Sequence, residues 1–94
     1  MRRITKQDLD GLINRLNKLT KSPETSYTKI DGKYRANIGN YRLDGAYGGW
    51  KLMRICSEGG GVQDVLHMGY CSKPEAYRLI YAYINGIEAV SNEK

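Results

Sequence analysis

The sequence predicts an α+β fold of order α-β-β-β(-β)-α, in which one antiparallel meander sheet carries two helices on one face. Three observations predict it. Leu9, Leu12, Ile13, Leu16 and Leu19 recur at helical spacing directly after a capping signal, Thr5 with Asp8. Short apolar segments between residues 26 and 56 are punctuated by Asp31-Gly32, Gly39-Asn40 and Gly48-Gly49, dipeptides suited to tight hairpin turns. A second helix start follows at Ser72-Lys73-Pro74-Glu75. Laying both apolar stripes on the same side of a single sheet is the simplest α+β arrangement that buries them.

The first helix is expected over about 5–21. Thr5 is its N-cap, and Asp8 at N3 reaches back as in a capping box. Ile4 and Leu9 stand at the positions of a hydrophobic staple. Arg15 and Lys18 fall off the apolar stripe, so the exposed side is basic. Ser22-Pro23 closes the element, because proline pushes the preceding residue out of helical backbone.

The sheet is expected over about 26–56. Segments 26–30 and 33–38 flank Asp31-Gly32, which suits a type I′ turn with positive φ at both central residues. A two-residue turn at Gly39-Asn40 would pair Ile38 with Tyr41, Ala36 with Leu43 and Tyr34 with Gly45 on one face. The other face then sets Arg35 opposite Asp44 and Asn37 opposite Arg42. A third turn at Gly48-Gly49 directs Trp50, Leu52, Cys56 and Arg54 toward the core and leaves Met53 and Ile55 outside; a bulge near Gly45 would reverse those faces. Residues 57–61 read as a flexible loop, and 62–66 as a further edge strand or an extended connection. The last helix is expected over about 73–87, with Tyr77, Ile80, Tyr81 and Ile84 as its buried stripe and Asn85-Gly86 as its C-terminal cap. Residues 91–94 are expected to fray.

A chain of 94 residues suits one domain, 1–94, with a modest core. No apolar run approaches the roughly 18 residues that cross a bilayer, and no apolar signal core follows the basic start Met1-Arg2-Arg3, so a cytoplasmic setting is expected. Cys56 and Cys71 read as two reduced, semi-buried thiols. The net charge of +5 is uneven. Arg2, Arg3, Lys6, Arg15, Lys18 and Lys21 outnumber Asp8 and Asp10 on the first helix. Lys29, Lys33, Arg35, Arg42, Lys51 and Arg54 outnumber Asp31 and Asp44 on the sheet. Such a field attracts an anionic partner, either nucleic acid or an acidic protein face; the plainer reading is solubility.

Eight tyrosines and one tryptophan, with no phenylalanine, supply the aromatic side chains. Buried tyrosines must bring their hydroxyls to the boundary. Tyr41, Tyr47 and Trp50 beside Arg42 and Lys51 make a platform suited to stacking on bases or to anchoring a protein interface; ordinary core and turn positions are the plainer use. Gly59-Gly60-Gly61 has neither the lysine nor the following helix of a phosphate-binding loop and reads as a connector. His67, the only histidine, has no metal-ligand partners at motif spacing. Asp44, Glu58, Asp64 and Glu75 are the carboxylates that a small metal-dependent nuclease would have to gather. Asp44 is better used opposite Arg35, and Glu75 as a cap. No cofactor and no metal are therefore expected.

The stretch 41–55, with Glu58-Gly59-Gly60-Gly61-Val62 and Ser72-Lys73-Pro74-Glu75-Ala76-Tyr77, resembles a type of small uncharacterised phage and prophage protein. That resemblance implies a virus-encoded accessory protein acting in the host cytoplasm, in the style of host-takeover or anti-defence factors such as anti-CRISPR proteins. The helix–strands–helix order is also similar to the double-stranded-RNA-binding domain, but the last helix here opens without the lysine cluster which those domains place on phosphates.

The resulting expectation is a non-enzymatic binding module that docks on a host protein or nucleoprotein complex through Arg35, Arg42, Tyr47, Trp50 and Lys51. Direct nucleic-acid binding through the same cations is the first alternative, and a small metal-dependent hydrolase the second. A chain this short also gains core by pairing with itself, although no symmetric stripe calls for a homodimer.

Overall fold

Two helices lie on one face of a three-stranded antiparallel sheet, and a separate two-stranded hairpin stands beside that body. The structure is a computed structural model and describes residues 3–92. The elements are α1 (Lys6–Leu19), β1 (Tyr27–Ile30), β2 (Lys33–Ala36), β3 (Tyr41–Ala46), β4 (Gly49–Ile55), β5 (Val62–Asp64) and α2 (Lys73–Asn92). The α+β class and the helix-covered sheet are as the sequence predicts. The expected single sheet is divided in two.

α1 begins as expected. The Asp8 amide donates to Thr5 Oγ1 at 3.3 Å, and the Thr5 amide donates to Asp8 Oδ2 at 2.8 Å, completing the capping box. Its stripe buries Leu9, Leu12, Ile13 and Leu16. α2 contributes Ala76, Ile80 and Ile84, one residue per turn and each fully buried. Tyr41 and Leu52 complete the core from the sheet. Tyr81, expected in the stripe, is 39% exposed, because the buried face runs through Ala76 instead.

The β2–β3 hairpin predicted at Gly39-Asn40 does not form. β2 pairs with β1 alone, and β3 pairs with β4. Arg35 therefore faces Thr28 rather than Asp44, and Asp44 faces Lys51. The cause is Asn17 on α1. Its carboxamide accepts from the Tyr41 amide at 2.8 Å and donates to the Tyr41 carbonyl at 3.0 Å, occupying the backbone edge that Ile38 would have paired with. Asn40, far from being an exposed turn residue, is 1% exposed and fastens the connection through Pro23 O and Ser26 Oγ.

The β3–β4 turn is Tyr47-Gly48, with φ of 52° and 71°, and not Gly48-Gly49. Gly49 is glycine for a different reason. A Cβ there would meet Tyr70 Cβ at 2.9 Å, so the strand must run bare past residue 70. The register is shifted by two residues from the predicted one, and a shift of two preserves the faces. Leu52 and Trp50 accordingly lie on the helix-facing side with Leu43 and Gly45. Arg54 shares that side but escapes burial at its end, with its guanidinium 4.7 Å from the Tyr41 ring centroid and Nε donating to Gly39 O. Met53 and Ile55, expected outside, are 8% and 1% exposed, and Cys56, expected inside, is exposed.

α2 passes through the predicted cap at Asn85-Gly86 and continues to Asn92. Contacts beyond the glycine hold it: Ile87 packs on the core, and Glu88 makes an ion pair with Arg15 of α1. Of the tail expected to fray, 91 and 92 belong to α2, and 93–94 lie outside the described residues. The possible strand at 62–66 is present as β5, the edge strand beside β4.

Candidate functional site

The five residues expected to form one binding face are distributed over four places. Arg35 lies on β2, in the hairpin. Arg42 and Lys51 lie on the side of the β3–β4 ladder away from the helices, since each is paired out of phase with the helix-facing Leu43–Leu52 couple. Trp50 is half-buried on the helix-facing side, with its ring over Gly45, where a Cβ would come within 2.6 Å of it. Tyr47 stands at the tip of the β3–β4 turn, 95% exposed. Tyr41, the other member of the proposed platform, is only 3% exposed and belongs to the core.

The structure groups Tyr47, Lys51 and Asp44 around Tyr70, a residue the sequence did not single out. Tyr70 Oη donates to Asp44 Oδ2 at 2.6 Å, its ring meets Tyr47 edge-on at 5.6 Å, and Lys51 Nζ sits 4.4 Å from its centroid. The Asp44 carboxylate accepting that hydrogen bond raises the Tyr70 pKa, and the phenol stays protonated as a donor. Lys51 is thus already engaged by an aromatic face, and Asp44 by a hydroxyl. Arg42 and Arg35 have no hydrogen bond or ion pair with a described residue.

The hairpin is the most exposed of the described elements. Three of the four residues of β2 and all four of β1 are exposed. Neither strand packs along a helix or along the other sheet. Asp31 and Gly32 at its tip have φ of 51° and 80°, the type I′ turn that matches strand twist. Its base is closed by Asn37, which donates to Ser26 O through its amide and to Thr25 O and Thr28 Oγ1 through its side chain. Tyr34 is 73% exposed, Ile30 50% and Ile38 53%, with Lys29, Lys33 and Arg35 among them. Tyr34 was placed inward by the predicted register. The signal that would have found it is a hairpin with no helix left to cover it.

Two of the other candidate carboxylates are engaged separately. Asp64 accepts from the amides of Met68 and Gly69, and Glu75 pairs with Arg78 one turn along α2. Among the described residues, no three His, Cys, Asp or Glu side chains gather where a metal could sit. The amides of Gly60 and Gly61 are bonded to Ser57, which closes the glycine loop on itself. Both cysteines are free thiols. Burial, reinforced by Glu75 and Asp64, pushes the Cys71 thiol up, which leaves it a poor nucleophile. No described helix is long and apolar enough to cross a membrane.

Fold and surfaces together define a small α+β protein with a basic, aromatic hairpin arm. No protein-family model, curated protein or solved structure matches the chain.

Proposed function

We propose that this protein is a small non-enzymatic binding module, phage-encoded and of the anti-defence style, that docks on a host protein or nucleoprotein complex and modulates it. The observation that supports it best is the β1–β2 hairpin, a solvent-exposed arm that presents Tyr34 and Ile30 with Lys29, Lys33 and Arg35, with Ile38 exposed in the turn that follows it. Each large apolar side chain buried in a partner would contribute about 1.5–3 kcal/mol. The cations favour an acidic face and speed encounter with it. The viral origin in this reading rests on the resemblance of 41–55, 58–62 and 72–77 to a type of small uncharacterised phage and prophage protein.

The test is capture from bacterial lysate with cross-linking, comparing wild type with Tyr34→Ala/Arg35→Glu. Both sites are exposed, so the variant folds normally while its captured bands disappear. Capture at the wild-type level would reject the hairpin as the docking arm.

One feature favours a second reading, direct nucleic-acid binding: a two-stranded ribbon is a shape that the DNA major groove admits. Three phosphate contacts from Lys29, Lys33 and Arg35 would give a slope of log K against log salt of roughly −2.7. A flat salt response removes this reading.

A further inference from the structure

The turn and the base of the arm together fix which backbone groups of the β1–β2 hairpin face outward. Ile30 and Lys33 flank the two-residue turn Asp31-Gly32 and close it as a hydrogen-bonded pair. At the base, one step beyond the Tyr27–Ala36 couple, the Asn37 amide donates to Ser26 O at 2.9 Å, so Ser26 and Asn37 also form a hydrogen-bonded pair. Hydrogen-bonded and non-hydrogen-bonded pairs alternate along an antiparallel ladder. Thr28 with Arg35 is therefore of the first kind, and Lys29 with Tyr34 of the second. The amide and carbonyl of Tyr34 thus point away from β1, along the free edge of β2. Neither is hydrogen-bonded to a described backbone group outside the ladder. The exposed stretch of that edge is short, Lys33 to Arg35, and ends where Ala36 is buried.

Side-chain phase gives this edge a chemistry. Lys33 and Arg35 share one face of the ribbon with Ile30 and Thr28, and Tyr34 shares the other with Lys29. The cross-strand neighbours of Lys33 and Arg35 are uncharged, and neither cation is in an ion pair with a described residue. Charged side chains on an edge strand discourage pairing with a like strand. Two copies joined antiparallel about Tyr34 would set Lys33 of one directly opposite Arg35 of the other, and like charges so placed are destabilising. The same two charges favour a strand that carries carboxylates at that spacing.

We propose that the β2 edge takes an extended acidic segment of the partner protein as a third, antiparallel strand of the arm. This rests on the docking reading above and specifies the chemistry of the partner and its mode of contact. Residues directly opposite each other across a ladder share a face. The segment's residue opposite Tyr34 exchanges both main-chain bonds with it and lays its side chain beside the Tyr34 ring. Its two neighbours stand opposite Lys33 and Arg35, on the cationic face, where acidic side chains form two cross-strand ion pairs. The recognised pattern is acidic, apolar, acidic. Main-chain bonds give affinity and the alternate side chains give selectivity, as in other strand-addition sites. β1 is the poorer edge. Its single cation, Lys29, has its ammonium 5.8 Å from the centroid of the Tyr34 ring, and its Tyr27 hydroxyl lies where a Cβ on Gly60 would meet it at 2.9 Å.

The probe is an octapeptide of alternating glutamate and valine, titrated into the full ¹⁵N-labelled chain. A lysine–valine octapeptide, the same glutamate peptide N-methylated at its valine amides, and a short DNA duplex serve as comparisons. The acidic peptide should give saturable shifts at residues 33–35 and slow amide exchange of Tyr34 about tenfold or more. Both altered peptides should bind about tenfold or more weaker. Lys33→Glu/Arg35→Glu, at two exposed sites, should reverse the preference in favour of the lysine peptide. Absence of a saturable shift, equal binding of the lysine peptide, indifference to N-methylation, or unchanged Tyr34 exchange in the bound state would each overturn strand addition. A duplex that shifts the arm where the peptide does not would overturn it in favour of nucleic acid. Failure with the peptides, alongside lysate capture that still depends on Tyr34 and Arg35, removes strand addition alone; capture indifferent to the arm removes the docking reading, and strand addition with it.

Discussion

Tyr34-Arg35 in β2 and Tyr41-Arg42 in β3 are the same dipeptide in neighbouring strands, and they meet opposite fates. Tyr34 is 73% exposed, whereas Tyr41 is 3% exposed. Local pattern makes a strand in both cases. What separates them is cover. Tyr41 lies under α1 and α2, its hydroxyl 3.1 Å from that of Tyr83 and its backbone held by Asn17. Tyr34 has the Lys29 ammonium over its ring at 5.8 Å and no helix above it. The arm is thus held by its turn, its ladder and the asparagines at its base, and the body by its core. A two-stranded ribbon without such cover contributes little stability of its own.

The largest expected effect breaks the body and spares the arm. Leu52 is fully buried in the cluster that joins both helices to the sheet. Leu52→Ala should cost about 2–5 kcal/mol in urea unfolding, through lost transfer energy and the cavity left behind. Tyr34→Ala should stay within about 0.5 kcal/mol, as exposed substitutions do. A comparable loss at Tyr34 would mean that the arm is packed in solution, and the contrast would fail.

Next in size is Asn17, the polar residue that docks α1 on the strand. Asn17→Ala leaves the amide and carbonyl of Tyr41 buried without partners, at about 1–3 kcal/mol for each unsatisfied group, so a total near 2–3 kcal/mol is expected after partial relaxation. Amide hydrogen exchange at Tyr41 should accelerate while that of β1 and β2 is unchanged. Faster exchange in the hairpin alone would show that Asn17 secures the arm instead.

The third prediction uses pH. Burial, with help from the Tyr83 hydroxyl, pushes the Tyr41 phenol from 10.0 up to about 12, against the opposing pull of Arg54. The folded state holds this proton more tightly than the unfolded chain does. The resulting stabilisation, on the order of 2 kcal/mol, is fully present below pH 10 and is lost as pH rises from 10 to about 12. Tyr41→Phe should flatten that alkaline decline relative to wild type, and ultraviolet titration should lose one late-ionising tyrosine. Identical slopes for the two proteins between pH 10 and 12 would place Tyr41 in a solvated setting like that of Tyr34.

Much of the architecture was legible in the sequence because it is written locally. The Thr5–Asp8 cap, the leucine stripe of α1, the Asp31-Gly32 turn and the start of α2 each lie within a few residues of chain. What escaped depends on distant partners. Asn17 sits beside Leu16 with no periodic signal, and its role appears only when Tyr41, 24 residues on, is laid against it. Gly49 reads as a turn glycine, because sequence does not separate a glycine chosen for its φ from one chosen for a close neighbour such as Tyr70. The candidate surfaces suffered likewise. The sequence reading puts Arg35, Tyr47 and Lys51 on one contact surface, but the absent β2–β3 pairing moves Arg35 to the arm, and Tyr70 arrives from a connecting segment with no pattern of its own.

The smallest effect is also the one whose sign discriminates. Gly86 is exposed inside α2, and a Cβ built there meets nothing within 4 Å. If α2 continues past it, Gly86→Ala should stabilise the protein by about 0.5–1 kcal/mol, the helix-interior penalty of glycine. If the helix instead ended at Asn85-Gly86, that glycine would adopt left-handed backbone, and alanine would destabilise by a similar amount. The two outcomes differ in direction, so urea midpoints of wild type and variant separate them even though each shift is small. A gain ties the last turns of α2, with Ile87 on the core and Glu88 on Arg15, to the packed body; a loss would leave them as exposed as the arm.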